Sequence, residues 1–567
     1  MAKNSKNTGV EKLQAEIERL KKELKKRKKY GLVWEEKSEE VAEMCKEKLP
    51  VLKEVKNKEI ITDKNKPVNL LIEGDNYHAL SVLNYTHAKK VDVIYIDPPY
   101  NTGAQTWRYN NDYVDKEDAF RHSKWLSFMS KRLRLAYSLL PSDGFLICAI
   151  DDNELFSLGL LLDEIFGESN RLGLVTVLHN PKGRNQSKFF SANSEFMLVY
   201  ARNIGQVNFN KVALNEDVQL SFDQSDEQGK YRLEPFMRAR TVWSRQNRPK
   251  NWYPIYVSKD LRNITSQKIS GYNEIYPITN GGKEMAWKNV RETFDQLNDE
   301  DYFIAKKEED KIRIYHRYRE QQVLKNVWLD QKYQSEFHGT NLLKKILGKN
   351  IFDYPKSLYL LVDILKLTTK KDSVILDFFA GSGTTGHAVL EINKQDGGNR
   401  KFILCTNNED NNGSGTKIAS DICYPRIKNV MGGYKVKTEK VKGLRGNLKY
   451  FKTDFVDYDE PTDINKIKLT TEAVEMLCVK EGTFKPVANK KNFEIFKNDD
   501  HYSGIIFDQA AIPAFKKAIK NIQGKFSVYV FSLGDETFNN EFKDIKQKIQ
   551  LSPIPEAILR VYRRIFQ

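Results

Sequence analysis

From residue 68 onward the chain alternates short apolar runs with stretches that carry apolar residues at helical spacing. Seven runs, at residues 69–72, 91–96, 144–150, 172–178, 196–200, 374–378 and 401–405, are rich in β-branched and aromatic residues, and several are almost continuously apolar. That is the pattern of strands covered on both faces. Between them, residues 125–139 and 153–166 repeat apolar positions every three to four residues, which predicts helices. The alternation predicts an α/β domain with one seven-stranded sheet and helices packed on it.

The sheet pattern is interrupted. Between about residues 205 and 340 the chain turns polar, aromatic and Arg-rich, with Gly281-Gly282 and a mixed charge run at 306–313, so this reads as an inserted domain. After about residue 450 a third pattern, with an apolar run at 526–531 and the amphipathic end IPEAILRVYRRIF, predicts a separate α+β region. Near the start, Leu13, Ile17, Leu20 and Leu24 fall at 4-3-4 spacing in a Lys/Glu-rich run, the seam of a basic amphipathic helix. Such a helix either packs on its own body or serves pairing or DNA contact. The expected division is a helix at 1–30, a first half of the sheet domain at 31–204, the insert at 205–340, a second half at 341–445, and a C-terminal region at 446–567.

Composition narrows the class. A length of 567 residues suits about three to four domains. With 40% hydrophobic and 30% charged residues, the chain can bury a large core. No window approaches the roughly 18 uninterrupted apolar residues of a membrane span, and the polar start has no export signature, so a soluble, cytoplasmic, prokaryotic protein is expected. The five cysteines are scattered with no CxxC, and the eight histidines form no HExxH; reduced thiols and no metal site are expected. The net charge is +16, and residues 1–30 hold eleven Lys/Arg against four Glu. Such an excess favours a polyanionic partner, with solubility as the plainer alternative.

Asp97-Pro98-Pro99-Tyr100 directly follows the apolar run VDVIYI. Two consecutive prolines remove two N–H donors and fix φ twice, so the loop is expected to be stiff, with its carbonyls unpaired and pointing outward. A carboxylate, a free carbonyl and an aromatic ring then stand at the carboxyl edge of the sheet, where open α/β folds bind ligands. The set suits a planar amine: Asp97 and the Pro98 carbonyl accept the two hydrogens of an exocyclic NH2, and Tyr100 stacks on the base for about 1–3 kcal/mol. Accepting both hydrogens draws the nitrogen lone pair out of conjugation and makes it a nucleophile. A simple strand-ending turn is the structural alternative.

Asp377 opens the second motif, which runs through Phe379, Ala380, Gly381, Ser382, Gly383 and Thr384 into a helix. Glycines there let backbone approach a ligand, and the helix N-terminus offers unpaired N–H groups. Alone, Gly381-x-Gly383-x-x-Gly386 also matches a dinucleotide fingerprint, so a nicotinamide or flavin enzyme is one reading. The Asp97–Tyr100 loop favours another, because a dehydrogenase has no use for it, whereas amino-methyl transfer needs both a nucleotide-like donor and an amine clamp.

Together the motifs resemble the DNA amino-methyltransferases, in which DPPY is catalytic and FxGxGT binds S-adenosylmethionine. The order of catalytic motif, long insert and glycine loop is similar to their β class, with a target-recognition domain in between. NLLIEGDNY at 69–77, DPPYNTG at 97–103, FDYPK at 352–356 and FILCTNNE at 402–409 look like the modification subunit of Type III restriction-modification systems, a likeness running from about residue 30 to the end. The resemblance implies a Rossmann-like α/β methyltransferase fold, S-adenosylmethionine as cofactor, and Asp97, Pro98, Pro99 and Tyr100 as the catalytic motif. It implies Asp75 at the donor's adenine side, Asp377 and the loop from Phe379 to Thr384 at its methionine part, Pro355 and Lys356 closing over it, and Glu409 on the ribose. It also implies double-stranded DNA as substrate, a homodimer, and a separate ATP-dependent restriction subunit. Aspartate before the two prolines favours adenine N6 over cytosine N4. Cytosine C5 chemistry needs a cysteine nucleophile in a Pro-Cys pair, and the chain contains none.

For recognition, residues 231–256 interleave Arg232, Arg238, Arg240, Arg245, Arg248 and Lys250 with Phe236, Trp243, Trp252 and Tyr253. Arg238, Arg240, Arg245, Arg248 and Lys250 are the candidate DNA contacts. Residues 181–330 hold 25 Lys/Arg against 20 Asp/Glu, so a structural ion pair is the alternative for each. The sequence thus predicts a sequence-specific DNA adenine-N6 methyltransferase that flips its target base and uses neither metal nor covalent enzyme intermediate. An orphan methyltransferase and a non-catalytic DNA-recognition subunit are the rivals; the intact Asp97 clamp and glycine loop disfavour the second. With no GxxxxGK[ST] loop in the chain, ATP-driven cleavage falls to another polypeptide.

Overall fold

The computed structural model describes residues 34–109, 112–183, 189–212, 220–319, 324–409, 415–458, 462–499, 501–534, 536, 538–545 and 548–566. The expected helix at 1–30 lies outside them. The chain forms two compact units, one from residues through Asn208 and from Asn326 onward, the other from Phe209–Lys325.

The first unit is built on a sheet of eleven strands rather than seven. In chain order they are β1 (Lys48–Glu54), β2 (Ile60–Ile61), β3 (Val68–Glu73), β4 (Val93–Ile96), β5 (Phe145–Ile150), β6 (Arg171–Leu178), β7 (Ser194–Ala201), β8 (Val327–Trp328), β9 (Val374–Asp377), β10 (Lys401–Thr406) and β11 (Asn447–Asp457). Across the sheet they run β1-β11-β3-β10-β9-β4-β5-β7-β6-β8, with β2 also paired to β11. The inner strands from β11 to β5 are parallel, whereas β7 runs antiparallel to both β5 and β6. All seven expected strands are present. The four that were missed are short or polar: β2 and β8 have two residues each, and β1, KLPVLKE, is an edge strand with Pro50 inside it, a position that tolerates proline.

Two expected boundaries are corrected. The C-terminal region was placed at 446–567, but β11 lies within it and pairs parallel with β3, Asn447 opposite Val68. Helices Val474–Glu481 and Glu556–Phe566 also bury Met476, Leu477, Ile558, Leu559 and Tyr562 in the main core. A five-stranded sheet at the C-terminal end, which includes Lys525–Phe531, does have its own small core around Phe515 and Phe526. The insert was expected at 205–340, yet β8 and the turn at Gln331–Tyr333 belong to the first unit. Elements this short leave no period in the sequence.

Four helices of the first unit position its edge chemistry: α1 (Asn76–Thr86), α2 (Arg121–Leu139), α3 (Leu358–Thr368) and α4 (Thr384–Asp396). On α2, Trp125, Met129, Leu133 and Ala136 are fully buried, the i, i+4, i+8 stripe that a helix lays on a sheet. Strands β4 and β9 are neighbours, with Val93 opposite Ile375 and Ile94 opposite Leu376. The chain leaves β9 through α4 to β10 on one side and leaves β4 through α2 to β5 on the other. The crevice at their carboxyl ends is therefore a topological switch point, where such sheets bind ligands. Asp97 and Asp377, far apart in sequence, end these adjacent strands.

The second unit has a four-stranded sheet and smaller ones around a core of Phe236, Trp287, Phe294 and Phe303. Among the described residues, no helix is long and apolar enough to cross a membrane, and all five cysteines are free and buried.

Candidate active site

The loop after β4 is fixed from below. Asn101 is fully buried with a left-handed φ of 54°, and its side-chain amide donates to Glu154 Oε1 at 2.5 Å and to the Arg121 carbonyl at 3.4 Å. Trp125 Nε1 donates to the Pro99 carbonyl at 2.7 Å. This corrects the expectation that both proline carbonyls stand free, because the indole of α2 reaches one of them. The Pro98 carbonyl has no hydrogen-bond partner among the described residues.

Above the loop, four side chains share one network. Lys356 Nζ lies 2.9 Å from Asp97 Oδ2 and 2.9 Å from Glu195 Oε2. The Tyr100 hydroxyl donates to Glu195 Oε2 at 2.7 Å, and Lys356 Nζ sits 4.8 Å from the centre of the Tyr100 ring. Glu195 begins β7, which lies antiparallel beside β5 with Phe196 opposite Ile150, so its carboxylate stands at the same sheet edge as Asp97. Asp97 Oδ1 is buried and has no partner. Burial pushes the Asp97 carboxyl above its ordinary range, and Glu195 adds to the rise while Lys356 opposes it. Burial also acts to raise Glu195, but Lys356, His179 and the Tyr100 hydroxyl outweigh it and hold this carboxyl low. Against its own desolvation, the Lys356 ammonium is held above its usual range by the two carboxylates. The resemblance assigned Lys356 to the methyl donor, whereas its charged end here rests on the catalytic carboxylate; the buried Pro355 precedes it at the start of α3.

At the end of β9, Asp377 is 3% exposed. Its Oδ1 accepts the Phe379 N–H at 3.0 Å and its Oδ2 accepts the Thr385 hydroxyl at 2.5 Å. Burial raises its carboxyl to about 7, with Asp97 adding to the rise and no cation offsetting it. The glycines divide their work differently from the motif's promise. Gly381 takes φ 48°, and a Cβ there would meet only the Phe352 ring, at 3.4 Å, and the Phe379 carbonyl, at 3.8 Å. At Gly383, φ 78°, a Cβ would stand 3.0 Å from Cys423 Sγ, and at Gly386 it would stand 2.8 Å from Ile427 Cδ1. These two serve close packing against the helix Tyr424–Gly432 and the residue before it, not approach to a ligand. That helix also supplies the fully buried Arg426, which donates to Ser382 Oγ at 2.9 Å and Thr384 Oγ1 at 2.7 Å and so fixes the turn.

Asp75 caps α1, accepting the Tyr77 N–H at 2.7 Å, and pairs at 3.3 Å with Arg132, which is fully buried. It remains about 30% exposed at the carboxyl end of β3. Ala380 and Ser382 are buried, Phe379 is half-buried, and Glu409 is exposed.

In the second unit Arg238, Arg240, Arg245, Arg248 and Lys250 are all exposed. Arg245 pairs with Glu284 at 2.9 Å and lies over Trp252, while the guanidinium groups of Arg238 and Arg248 each stand 4.8 Å from the Trp243 ring. Among the described residues Arg238, Arg240, Arg248 and Lys250 form no ion pair. Phe236 and Tyr253, read from the sequence as part of the same surface, are buried in the unit's core.

Glu195, Trp125 and Arg426 escaped the sequence reading. For Glu195 one signal existed: a carboxylate directly ahead of the apolar run at 196–200.

The sequence matches the DNA methylase family over residues 91–412. It is 35% identical over 395 residues to the EcoPI Mod subunit of a Type III restriction-modification enzyme from Escherichia phage P1, covering 63% of this chain and 60% of that one. It is 33% identical over 369 residues to the Type II methyltransferase M.KpnI of Klebsiella pneumoniae, covering 64% of this chain and 87% of that one. The match thus spans about 60% of the phage protein's length. Among solved structures, the M1.HpyAVI–SAM complex gives a TM-score of 0.28 at 13% identity, covering 64% of this chain and 97% of that one, a global likeness too low to bear on the site.

Proposed function

The chain belongs to the DNA methylase family, and from that premise we propose that it transfers a methyl group from S-adenosylmethionine to adenine N6 in double-stranded DNA, as the modification subunit of a Type III restriction-modification system. The observation that carries the reading is the buried, unpartnered Oδ1 of Asp97 beside the free Pro98 carbonyl, one strand from Asp377. Two acceptors without donors at a switch-point crevice suit an exocyclic amine.

S-adenosylmethionine supplies an activated methyl on a positively charged sulfur. Asp377 suits a cationic donor, since it is a buried carboxylate at the glycine turn with no cation of its own. Asp97 Oδ1 and the Pro98 carbonyl accept the amine hydrogens and direct the lone pair outward. Lys356, bound to Oδ2, orients Asp97 and keeps it ionised beside Glu195. Tyr100, anchored through its hydroxyl by Glu195, presents its ring to the flipped base. As the N–C bond forms and the C–S bond breaks, the nitrogen becomes acidic and its proton leaves through the hydrogen bond to Asp97. Positioning and the polar clamp account for the acceleration. Aspartate ahead of the prolines supports adenine as the target. The exposed, unpaired Arg238, Arg240, Arg248 and Lys250 around Trp243 support recognition by the second unit; Arg245, held by Glu284, is the weakest candidate of the five. On this reading the partners are duplex DNA, a second copy of the chain and a restriction subunit, all in a prokaryotic cytoplasm.

One observation favours a second reading. The match covers 87% of the Type II methyltransferase but 60% of the Mod subunit, which suits a methyltransferase that acts without a restriction partner. Both readings share the chemistry. Incubating the purified chain with labelled donor and duplex DNA, then digesting to nucleosides, gives N6-methyladenine with the wild type and none with Asp97→Ala. Label in N4-methylcytosine, or turnover in Asp97→Ala, overturns the assignment.

A further inference from the structure

Phe189 and Phe190 are 84% and 99% exposed, adjacent aromatics left in water in a chain whose other phenylalanines mostly fill cores. They lie in the connection between β6 and β7, whose base is closed. Asn180 N–H donates to the Asn193 carbonyl at 3.1 Å, and a Cβ on Gly183 would stand 2.6 Å from Ser191 Oγ, so the two sides meet just below the aromatic pair. Five residues after Phe190 comes Glu195, whose carboxylate binds the Tyr100 hydroxyl and Lys356. An extended chain of that length spans at most roughly 17 Å. The pair therefore stands at the rim of the Asp97–Tyr100 pocket.

The charge around the pair indicates what it meets. Residues 179–194, HNPKGRNQSKFFSANS, include no carboxylate, and Lys182 is 73% exposed beside them. Exposed apolar surface of this size marks an interaction site. A second protein would match the rings, but an acid-free, basic setting beside an amine pocket matches stacked bases flanked by phosphates. Side chains of this kind enter base steps and offset the unstacking cost of a few kcal/mol.

We propose that Phe189 and Phe190 form a wedge that enters the DNA stack beside the target adenine and stabilises its extrusion into the Asp97–Tyr100 pocket. The inference rests on the methyltransferase reading and adds to it the element that takes the base out of the duplex.

The test uses the full chain and a duplex carrying the sequence it methylates. Phe189→Ala/Phe190→Ala should bind donor as the wild type does, by calorimetry, and should lose about 10–100-fold in kcat/KM on fully paired DNA, the value of one or two stacking contacts. On a duplex with an abasic site opposite the target, where extrusion needs less work, activity should return to within about threefold of wild type. With 2-aminopurine at the target position, the fluorescence rise seen with the wild type should be missing with the variant, and Phe190→Trp should restore it. Unchanged activity on paired DNA overturns the wedge, as does an equal loss on paired and abasic substrates. If the wild type methylates neither substrate, the functional reading itself fails and the wedge with it.

Discussion

Asp377→Asn should make the protein more stable and less able to bind its donor, and the size of the first effect follows from the structure. The carboxyl is held at about 7 against an ordinary 3.8 by burial, with Asp97 adding to the rise. At about 1.4 kcal/mol per pH unit, keeping it ionised at pH 8 costs the donor-free fold up to roughly 4 kcal/mol. The native state holds this proton between about pH 4 and 7 while the unfolded chain has released it, so stability falls as pH rises through that window and is level above it. Asparagine keeps an acceptor for the Phe379 N–H and can donate to Thr385 Oγ1, so little bonding is lost. With relaxation, a gain of about 2 kcal/mol is expected at pH 8, read as a rise of roughly 2–4 °C in Tm, shrinking towards zero near pH 4. Donor affinity, measured by calorimetry on the same variant, should fall at least about tenfold, the worth of one charged hydrogen bond. A variant less stable than wild type at pH 8, or a gain that does not change with pH, would refute the electrostatic account of this residue.

Lys356→Met should leave donor affinity nearly intact but cost roughly 100-fold in kcat/KM at pH 7, because Asp97 would then face Glu195 uncompensated. The acid limb of its pH–rate profile should move upward; a pure loss of donor affinity would instead return Lys356 to the donor site. Gly386→Ala should cost about 1–3 kcal/mol by thermal melting through its contact with Ile427, whereas Gly381→Val should show its main effect as a collapse of donor affinity; the reverse pattern would contradict the division of labour between the glycines. Exchanging residues 209–325 for the counterpart from a related enzyme should change which sequence is methylated while the product stays N6-methyladenine. A swap that never alters the sequence places recognition in the other unit.

The parts of this molecule that were legible in its sequence are those encoded locally. Strands β4, β9 and β10 are nearly unbroken apolar runs, and the motifs at Asp97 and Asp377 sit directly at strand ends. What stayed hidden depends on contacts between distant positions. Nothing in local spacing links Lys356 to Asp97 or Glu195 to Tyr100, although those contacts build the pocket. A glycine motif names the residues but not their tasks, and only the fold shows Gly383 and Gly386 packed on Cys423 and Ile427. Strand β11, NLKYFKTDFVD, mixes apolar and charged residues, because lysines such as Lys449 reach partners at Glu54 and Glu59. Its inner place in the sheet was for that reason invisible.

The central claim is that this chain alone methylates adenine at one DNA sequence through Asp97. Its most direct test is sequencing that detects modified bases, applied to DNA from a methylation-free host expressing the chain by itself. The account predicts N6-methyladenine at nearly every copy of one motif with the wild type, and unmodified DNA with Asp97→Ala. Unmodified DNA with the wild type, or modification that persists in Asp97→Ala, would contradict it.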